Sequence, residues 1–144
     1  KVVSQKEIEA IAVDAELGYI YYSDESKGIR KYYANPDSGN IELKTFGLDN
    51  FTQDREGISI YKTGPKSGYI IISDQQENRF NIYDRNPENH DHKLITSIYL
   101  STNESDGSDC ISSNLGSEFP NGIFVAMSDD KTFQIYDWRK FNLE

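Results

Sequence analysis

The stretch Gly68-Tyr69-Ile70-Ile71-Ile72-Ser73-Asp74 decides the fold class, because a glycine-led apolar run ends there on Ser-Asp. Two further stretches repeat this pattern, Gly18-Tyr19-Ile20-Tyr21-Tyr22-Ser23-Asp24 and Gly122-Ile123-Phe124-Val125-Ala126-Met127-Ser128-Asp129. The leading glycines are spaced by 50 and 54 residues, a repeat length typical of β-propeller blades. Each near-continuous apolar run predicts a middle strand that neighbouring blades cover on both faces.

Each repeat also has an acid and a strand before this run, and an aromatic, alternating strand after it. The pattern predicts an all-β fold of three four-stranded blades, with approximate bounds 8–50, 51–101 and 102–142. A helical turn is expected only in the tail from Trp138 to Asn142, and residues 143–144 resemble the scar of a purification tag. Three blades cannot close a ring, so we expect missing blades on an absent N-terminal half or on a partner chain.

Net charge, the length of apolar runs and the cysteine count limit which partners and chemistry the chain can be expected to have. The 144-residue chain has a net charge of −9, which argues against nucleic acid, because phosphate backbones need a basic surface. No apolar run approaches the length that spans a membrane, so no membrane partner is expected. Cys110 is the only cysteine, and it is interpreted as a small buried thiol rather than a nucleophile.

The acidic residues recur at related places in the repeats. Asp54 and Glu56 lie two residues apart before an apolar strand, so both carboxylates face one side. If the repeats are equivalent blades, Glu9, Glu56 and Asp109 hold the same position in successive blades, near the central channel. Glu25, Asp54 and Asp106 then lie on nearby loops. Carboxylate oxygens without cysteine suit Ca²⁺ better than Zn²⁺. For any single acid the alternative is a solvated loop charge, and His90 and His92 are interpreted as a solvated loop.

These residues resemble those of the β-propeller phytases. The matching segments are Ile8–Asp14, Asp54–Tyr61, Gly68–Gln75, Ser105–Asp109, Leu115-Gly116, Phe119–Ala126 and Trp138. The resemblance implies one half of a six-bladed propeller and a calcium-dependent, 3-phytase-like phosphatase. Such an enzyme hydrolyses phosphomonoesters, with phytate (myo-inositol hexakisphosphate) as substrate, and is secreted or held in the periplasm or cell envelope.

The resemblance also assigns roles to residues. It implies that six residues bind calcium or support its ligands, namely Glu9, Glu25, Asp54, Glu56, Gln75 and Asp106. Of these, Glu9, Asp54 and Glu56 would form the catalytic centre, where a metal-activated water attacks the phosphate. Arg79 is a candidate for phosphate binding, with a surface arginine as the alternative. Arg55 departs from the family pattern, in which many members have an aliphatic residue.

Two functions stay open at this point. The first is the phytase, of which this chain alone would have little or no activity because several phosphate-gripping residues of the family belong to earlier blades. The second is a non-catalytic, calcium-binding propeller module that serves as a scaffold. Bare blade edges near Glu9–Tyr32 and Phe133–Trp138, carrying Tyr, Phe, Ile and Trp side chains, predict a homodimer of two half-propellers.

Overall fold

Three antiparallel sheets follow one another along the chain in the computed structural model, which describes residues 7–143. The first sheet contains β1 (Ile11–Asp14), β2 (Tyr19–Asp24), β3 (Gly28–Tyr33) and β4 (Lys44–Phe46). The second contains β5 (Arg55–Lys62), β6 (Gly68–Asp74), β7 (Arg79–Asp84) and β8 (Leu94–Tyr99). The third contains β9 (Ser108–Ile111), β10 (Ile123–Ser128) and β11 (Thr132–Asp137). We call these sheets blades 1, 2 and 3.

The predicted all-β propeller architecture is confirmed, with one difference in strand number. Blades 1 and 2 have four strands in chain order, whereas blade 3 has three within residues 7–143. The helical turn expected in the tail is present as a 3₁₀ turn at Trp138–Phe141. Four more 3₁₀ turns lie in connections, at Pro36–Ser38, Leu48–Asn50, Gln75–Glu77 and Glu88–His90. Among the described residues no helix has the length and apolar character needed to cross a bilayer.

Blade 2 lies between the other two blades and shares an apolar core with each. The core shared with blade 1 contains Tyr21, Ile29, Phe46, Ile58, Ile70, Ile72 and Tyr83. The core shared with blade 3 contains Tyr61, Ile71, Phe80, Ile82, Phe124, Ala126, Trp138 and Phe141. Successive β6 side chains alternate between the two cores, which explains why the Ile70-Ile71-Ile72 run is apolar at every position.

Trp138 and Leu143 belong to this core. The Trp138 side chain is only 4% exposed, and its ring stacks on Tyr61 with centroids 3.4 Å apart. The expectation that Trp138 lies on a bare blade edge is therefore wrong, because the 3₁₀ turn folds it back onto blade 2. Leu143 packs against the same core, whereas Glu144, the other residue of the expected tag scar, lies outside the described residues.

A glycine stands at or immediately before the start of each middle strand, and in blades 2 and 3 the reason is steric. Gly122 has φ +79°, and a Cβ there would lie 1.8 Å from the carbonyl oxygen of Ile111. Gly68 is equally confined, since its Cβ would lie 2.1 Å from the Tyr61 oxygen. The neighbouring inner strand thus passes too close for any side chain.

A buried ion pair joins blades 1 and 2 at one end of the sheets. The Arg85 guanidinium follows β7 and binds both oxygens of Asp14 at the end of β1, at 2.6 and 2.7 Å. It also binds Glu16 and the backbone oxygens of Gly64 and Ser67. Because every guanidinium nitrogen has an acceptor, the buried charge is fully compensated.

His92 is buried beside the same blade junction. Its ring stacks on Phe46 with centroids 4.4 Å apart, and the expectation of a solvated loop is wrong for this residue. Nδ1 donates to the Asp84 carbonyl at 2.8 Å, so Nε2 is free to accept from the Lys31 ammonium at 3.1 Å. Lys31 is itself fully buried, with Nζ 3.9 Å from the centre of the Tyr19 ring.

Candidate metal centre

The predicted acids collect at the end of the sheets where the first strand of each blade begins. Glu9 precedes β1, Asp54 precedes β5, and Asp106 precedes β9, while Glu56 is the second residue of β5. Glu25 follows β2, which runs antiparallel to β1 and so ends at the same side. The topology thus brings five of the six predicted carboxylates to one end of the three blades.

Three carboxylates form the tightest group. Oxygen atoms of Glu7, Glu9 and Glu25 all lie within 4.8 Å of one another. A hydrogen bond that protonated Glu9 donates to the Glu7 carboxylate raises the pKa of Glu9, and the charges of Glu7, Glu25 and Asp54 raise it further. Glu7 was not among the predicted ligands, although it stands two residues before Glu9, as Asp54 stands two residues before Glu56.

Glu56 is the most buried of the predicted ligands, with 9% of its surface exposed. Burial raises the pKa of its carboxyl to about 7, with smaller contributions from the charges of Glu9, Asp106, Asp54 and Glu25. All four of the other predicted acids therefore act on Glu56 through space. Such a set of like charges is stabilised only when a cation or a proton offsets it.

A β-bulge at Gly57 fixes Asp106 beside Glu56. The register between β5 and β6 shifts between Glu56 and Ile58, which leaves Gly57 as the extra residue. Its N–H donates to the Asp106 carbonyl oxygen at 2.9 Å, and a Cβ on it would lie 3.0 Å from the Ser108 nitrogen. Glycine therefore lets the loop of blade 3 approach β5 closely.

Asp109 does not hold the position equivalent to Glu9 and Glu56, so the prediction of that equivalence is wrong. It pairs with Val125, three residues before the Ser128 that closes β10. The equivalent pairs in the other blades are Val13 with Ile20 and Ile60 with Ile70. The strand register thus places Asp109 within β9, and the equivalent of Glu9 and Glu56 falls at Ser105-Asp106.

Two glutamines orient the acids of blades 2 and 3. The Gln75 amide nitrogen donates to an Asp106 carboxylate oxygen, as its predicted place beside the cluster requires. The Gln76 amide nitrogen donates to Asp54 at 2.6 Å, and its oxygen accepts from the Asp54 backbone N–H at 2.9 Å. Gln76 was not predicted, because only the 3₁₀ turn after β6 brings adjacent side chains back over the start of β5.

The repeated serine of the Ser-Asp ending also supports the acids. The Ser23 hydroxyl accepts from the backbone N–H groups of Glu9 and Ala10 at 3.1 and 2.9 Å. The Ser73 hydroxyl donates to the Ser105 carbonyl at 2.7 Å, next to Asp106. Each serine thus fixes the backbone beside one predicted ligand.

Arg79, the predicted phosphate-binding residue, has partners within its own blade. Its guanidinium donates to buried Asp74 at 2.8 Å and to the Asn50 carbonyl at 3.1 Å. These bonds favour a structural role, and contact with a substrate stays a prediction.

The donor set fits a hard divalent cation. The candidate ligands are carboxylate oxygens, several of them exposed, with amide oxygens adjacent and no histidine or thiol among them. Oxygen donors in a flexible arrangement are those that Ca²⁺ prefers, whereas Zn²⁺ sites are built mainly from nitrogen and sulfur donors. The residues suited to hold the cation are Glu7, Glu9, Glu25, Asp54, Glu56 and Asp106.

Comparison with known proteins agrees with this arrangement. The family model described as Phytase matches residues 1–138. The chain is similar to the 3-phytase of Bacillus subtilis (strain 168), with 28% identity over 151 residues. That alignment covers 92% of this chain and 38% of the relative, so the chain spans well under half of the relative's length.

Proposed function

Because the chain belongs to the phytase family, we propose that it carries the calcium-binding centre of an enzyme that hydrolyses phosphomonoesters of phytate. The observation that carries the proposal is the convergence of Glu9, Glu25, Asp54 and Asp106 on buried Glu56, whose pKa their charges help to raise. Bound cations would relieve this repulsion and make the same place attractive to a highly anionic substrate.

The residues of the chain have distinct parts in this chemistry. Glu7, Glu9 and Glu25 would bind cations at the exposed side, and Glu56 would do so at the buried side. Gln75 and Gln76 orient Asp106 and Asp54 by hydrogen bonds. When bound, calcium supplies positive charge for the phosphoryl oxygens and lowers the pKa of a coordinated water. Position and charge are thus the contributions of the protein, rather than a covalent nucleophile.

Phosphate release from phytate by the full-length gene product tests this proposal. We expect release in millimolar calcium and none in excess chelator, with activity restored when calcium is returned. Activity that persists in chelator would overturn the role of calcium, and release from simple phosphomonoesters but not from phytate would overturn the substrate.

A second function, a calcium-binding scaffold without turnover, is favoured by one observation. The cation predicted to grip phosphate, Arg79, is engaged by Asp74 and Asn50. Calcium uptake by the gene product without phosphate release would support the scaffold over the hydrolase.

We also propose an extracytoplasmic setting, secreted or in the periplasm or cell envelope, on the basis of the resemblance and the exposure of the ligands. Glu7 and Glu9 are exposed, and sites built from exposed carboxylates bind weakly. Extracellular calcium modules have dissociation constants of about 0.1 to 1 mM, and calorimetry should find a value in this range. A submicromolar constant would instead fit a cytosolic site.

A further inference from the structure

Arg55 connects two loops that carry predicted ligands from different blades. It is the first residue of β5, and its side chain is buried, with the whole residue 5% exposed. One terminal nitrogen donates to the Glu25 carbonyl at 3.0 Å, in the turn of blade 1. The same nitrogen donates to the Gln53 carbonyl at 3.2 Å, immediately before Asp54 of blade 2.

The rest of the guanidinium is held in the connection between β4 and β5. The second terminal nitrogen donates to the Leu48 carbonyl at 3.0 Å, and the guanidinium carbon lies 5.2 Å from the centre of the Phe51 ring. The buried Nε has no partner among the described residues. The fork geometry of arginine is therefore used to bind three backbone oxygens of two loops at once.

Stability alone does not account for this arrangement. A buried cation loses its hydration, and within the described residues Arg55 has no carboxylate at ion-pair distance to repay that loss. Its hydrogen bonds reach the backbone of Glu25 and of Gln53, the residue before Asp54. The carboxylates of Glu25 and Asp54 belong to the candidate metal centre. A well-packed apolar side chain would avoid the desolvation cost but would release both loops.

We propose that Arg55 is a positioning residue for the cation site, which fixes the distance between the Glu25 and Asp54 backbones. This inference rests on the proposed calcium centre. The direction in which calcium affinity changes when Arg55 is replaced is informative, because Arg55 is itself a cation. If only its charge matters, removing Arg55 should strengthen calcium binding. If it positions the ligands, removing it should weaken calcium binding.

Calorimetric titration with calcium tests the proposal on the 144-residue chain. The variants are Arg55→Met and Arg55→Lys, and the matched control is Arg85→Lys, which alters a buried arginine at the opposite end of the sheets. We expect both Arg55 variants to bind calcium about tenfold more weakly than the wild type. Lysine keeps the charge, but its compact ammonium lacks the planar fork that lets arginine reach the carbonyls of both loops. Arg85→Lys should lower the unfolding temperature in chelator while keeping the wild-type calcium affinity.

The possible results separate three explanations. Tighter calcium binding by Arg55→Met would show that charge dominates and would overturn positioning. Unchanged affinity, with only a lower unfolding temperature, would assign Arg55 to stability alone and also overturn it. A wild-type chain that takes up no calcium would overturn the proposed centre itself. If Arg55→Met does not fold, Arg55→Lys still decides between positioning and stability.

Discussion

Glu56 is the residue in which the conflict between stability and function is greatest. Its carboxyl is largely buried, and burial together with four neighbouring acids raises its pKa to about 7. A fold selected only for stability would place a neutral side chain here. The retained acid is explained if a cation occupies the centre, because the same charge that destabilises the metal-free protein then binds the ion.

Replacing Glu56 with glutamine should therefore have opposite effects in the two states. In chelator at pH 8, Glu56→Gln should raise the free energy of unfolding by about 1 kcal/mol, because a buried like charge is removed. In calcium, the variant should lose most of the stabilisation that calcium gives to the wild type. Thermal unfolding in both solutions measures the two effects.

The matched control is Glu88→Gln, an exposed acid at the opposite end of blade 2. It should leave both melting curves close to those of the wild type. If Glu56→Gln lowers stability in chelator as well as in calcium, Glu56 is a structural acid and not a metal ligand.

His92 predicts how stability depends on pH. Burial lowers its pKa to about 4, and the positive charges of Lys31, His90 and Lys44 act in the same direction. The ordinary value in the unfolded chain is about 6.5, so the unfolded state binds more protons between pH 4 and 6.5. This residue should therefore cost up to about 3 kcal/mol of stability as the pH falls through that window.

Urea unfolding at several pH values measures this dependence, and His92→Gln provides the comparison. The variant keeps an acceptor for Lys31 but has no proton to gain, so its stability should fall less steeply between pH 6.5 and 4. Carboxylates elsewhere titrate in the same window, but they are common to both proteins. Equal slopes for the two proteins would contradict the assignment.

At the residue scale, the sequence was better at predicting which acids belong to the site than at predicting which side chains contact one another. The i, i+2 spacing of Asp54 and Glu56 correctly indicated that both acids belong to one end of a strand. The same rule applied to Glu7 and Glu9 would have found the missed acid. Nothing in the sequence could show that Gln76 reaches Asp54, or that His92 lies under Lys31, because both contacts depend on how connections fold back over the sheets.

At the element scale, a glycine stands at or immediately before the start of the middle strand in all three blades. Gly18 and Gly122 hold equivalent positions with φ of +71° and +79°. They differ in their surroundings: nothing lies within 4 Å of a Cβ built at Gly18, whereas the Ile111 oxygen lies 1.8 Å from one at Gly122. The pair therefore separates the cost of backbone conformation from that of a steric clash.

Alanine substitution at these two glycines should have unequal effects. Gly18→Ala should lower the free energy of unfolding by about 1 kcal/mol, the cost of a left-handed conformation for a residue with a Cβ. Gly122→Ala has the same conformational cost and must in addition displace the β9 backbone. It should therefore lower the free energy of unfolding by about 3 kcal/mol or more. Denaturant unfolding of the two variants compares them, and equal losses would show that the strand relaxes without cost.

The strands themselves were predictable because apolar runs, turn residues and repeat spacing agree. The bulge at Gly57 was not predictable, since a single glycine before a strand also fits an ordinary turn. The misplacement of Asp109 has a different cause, because Asp109 lies three residues beyond Asp106 and a bulge shifts the register by only one. The observed pairing of β9 with β10 moves the equivalence with Glu56 to Ser105-Asp106.

At the scale of the whole molecule, blades 1 and 3 differ from blade 2 in having one uncovered face. Phe133 is 77% exposed and Ile135 is 60% exposed on β11, while Ile11 and Val13 are exposed on β1. Apolar sheet surfaces of this kind associate in water unless another surface covers them. Two copies related by a two-fold axis would cover both faces at once.

The 144-residue chain alone should therefore form a homodimer with a mass near twice 16.5 kDa, measured by light scattering. Phe133→Lys should shift the equilibrium toward monomer without lowering the unfolding temperature in dilute solution, because its side chain contacts water rather than the core. Lys131→Glu, an exposed change before the same strand, is the control. A stable, soluble monomer at high concentration would rule out the closed dimer.

Trp138 gives the chain an optical reporter of one blade junction. It is the only tryptophan, and it lies between Tyr61 of blade 2 and Phe141, with ring centroids 3.4 and 4.6 Å away. Its fluorescence emission should be blue-shifted in the native protein and should move to longer wavelength when blade 3 separates from blade 2. Blade 1 has tyrosines and no tryptophan, so its detachment would leave this signal unchanged. Emission and circular dichroism recorded together would thus reveal whether the three blades unfold in one step or in sequence.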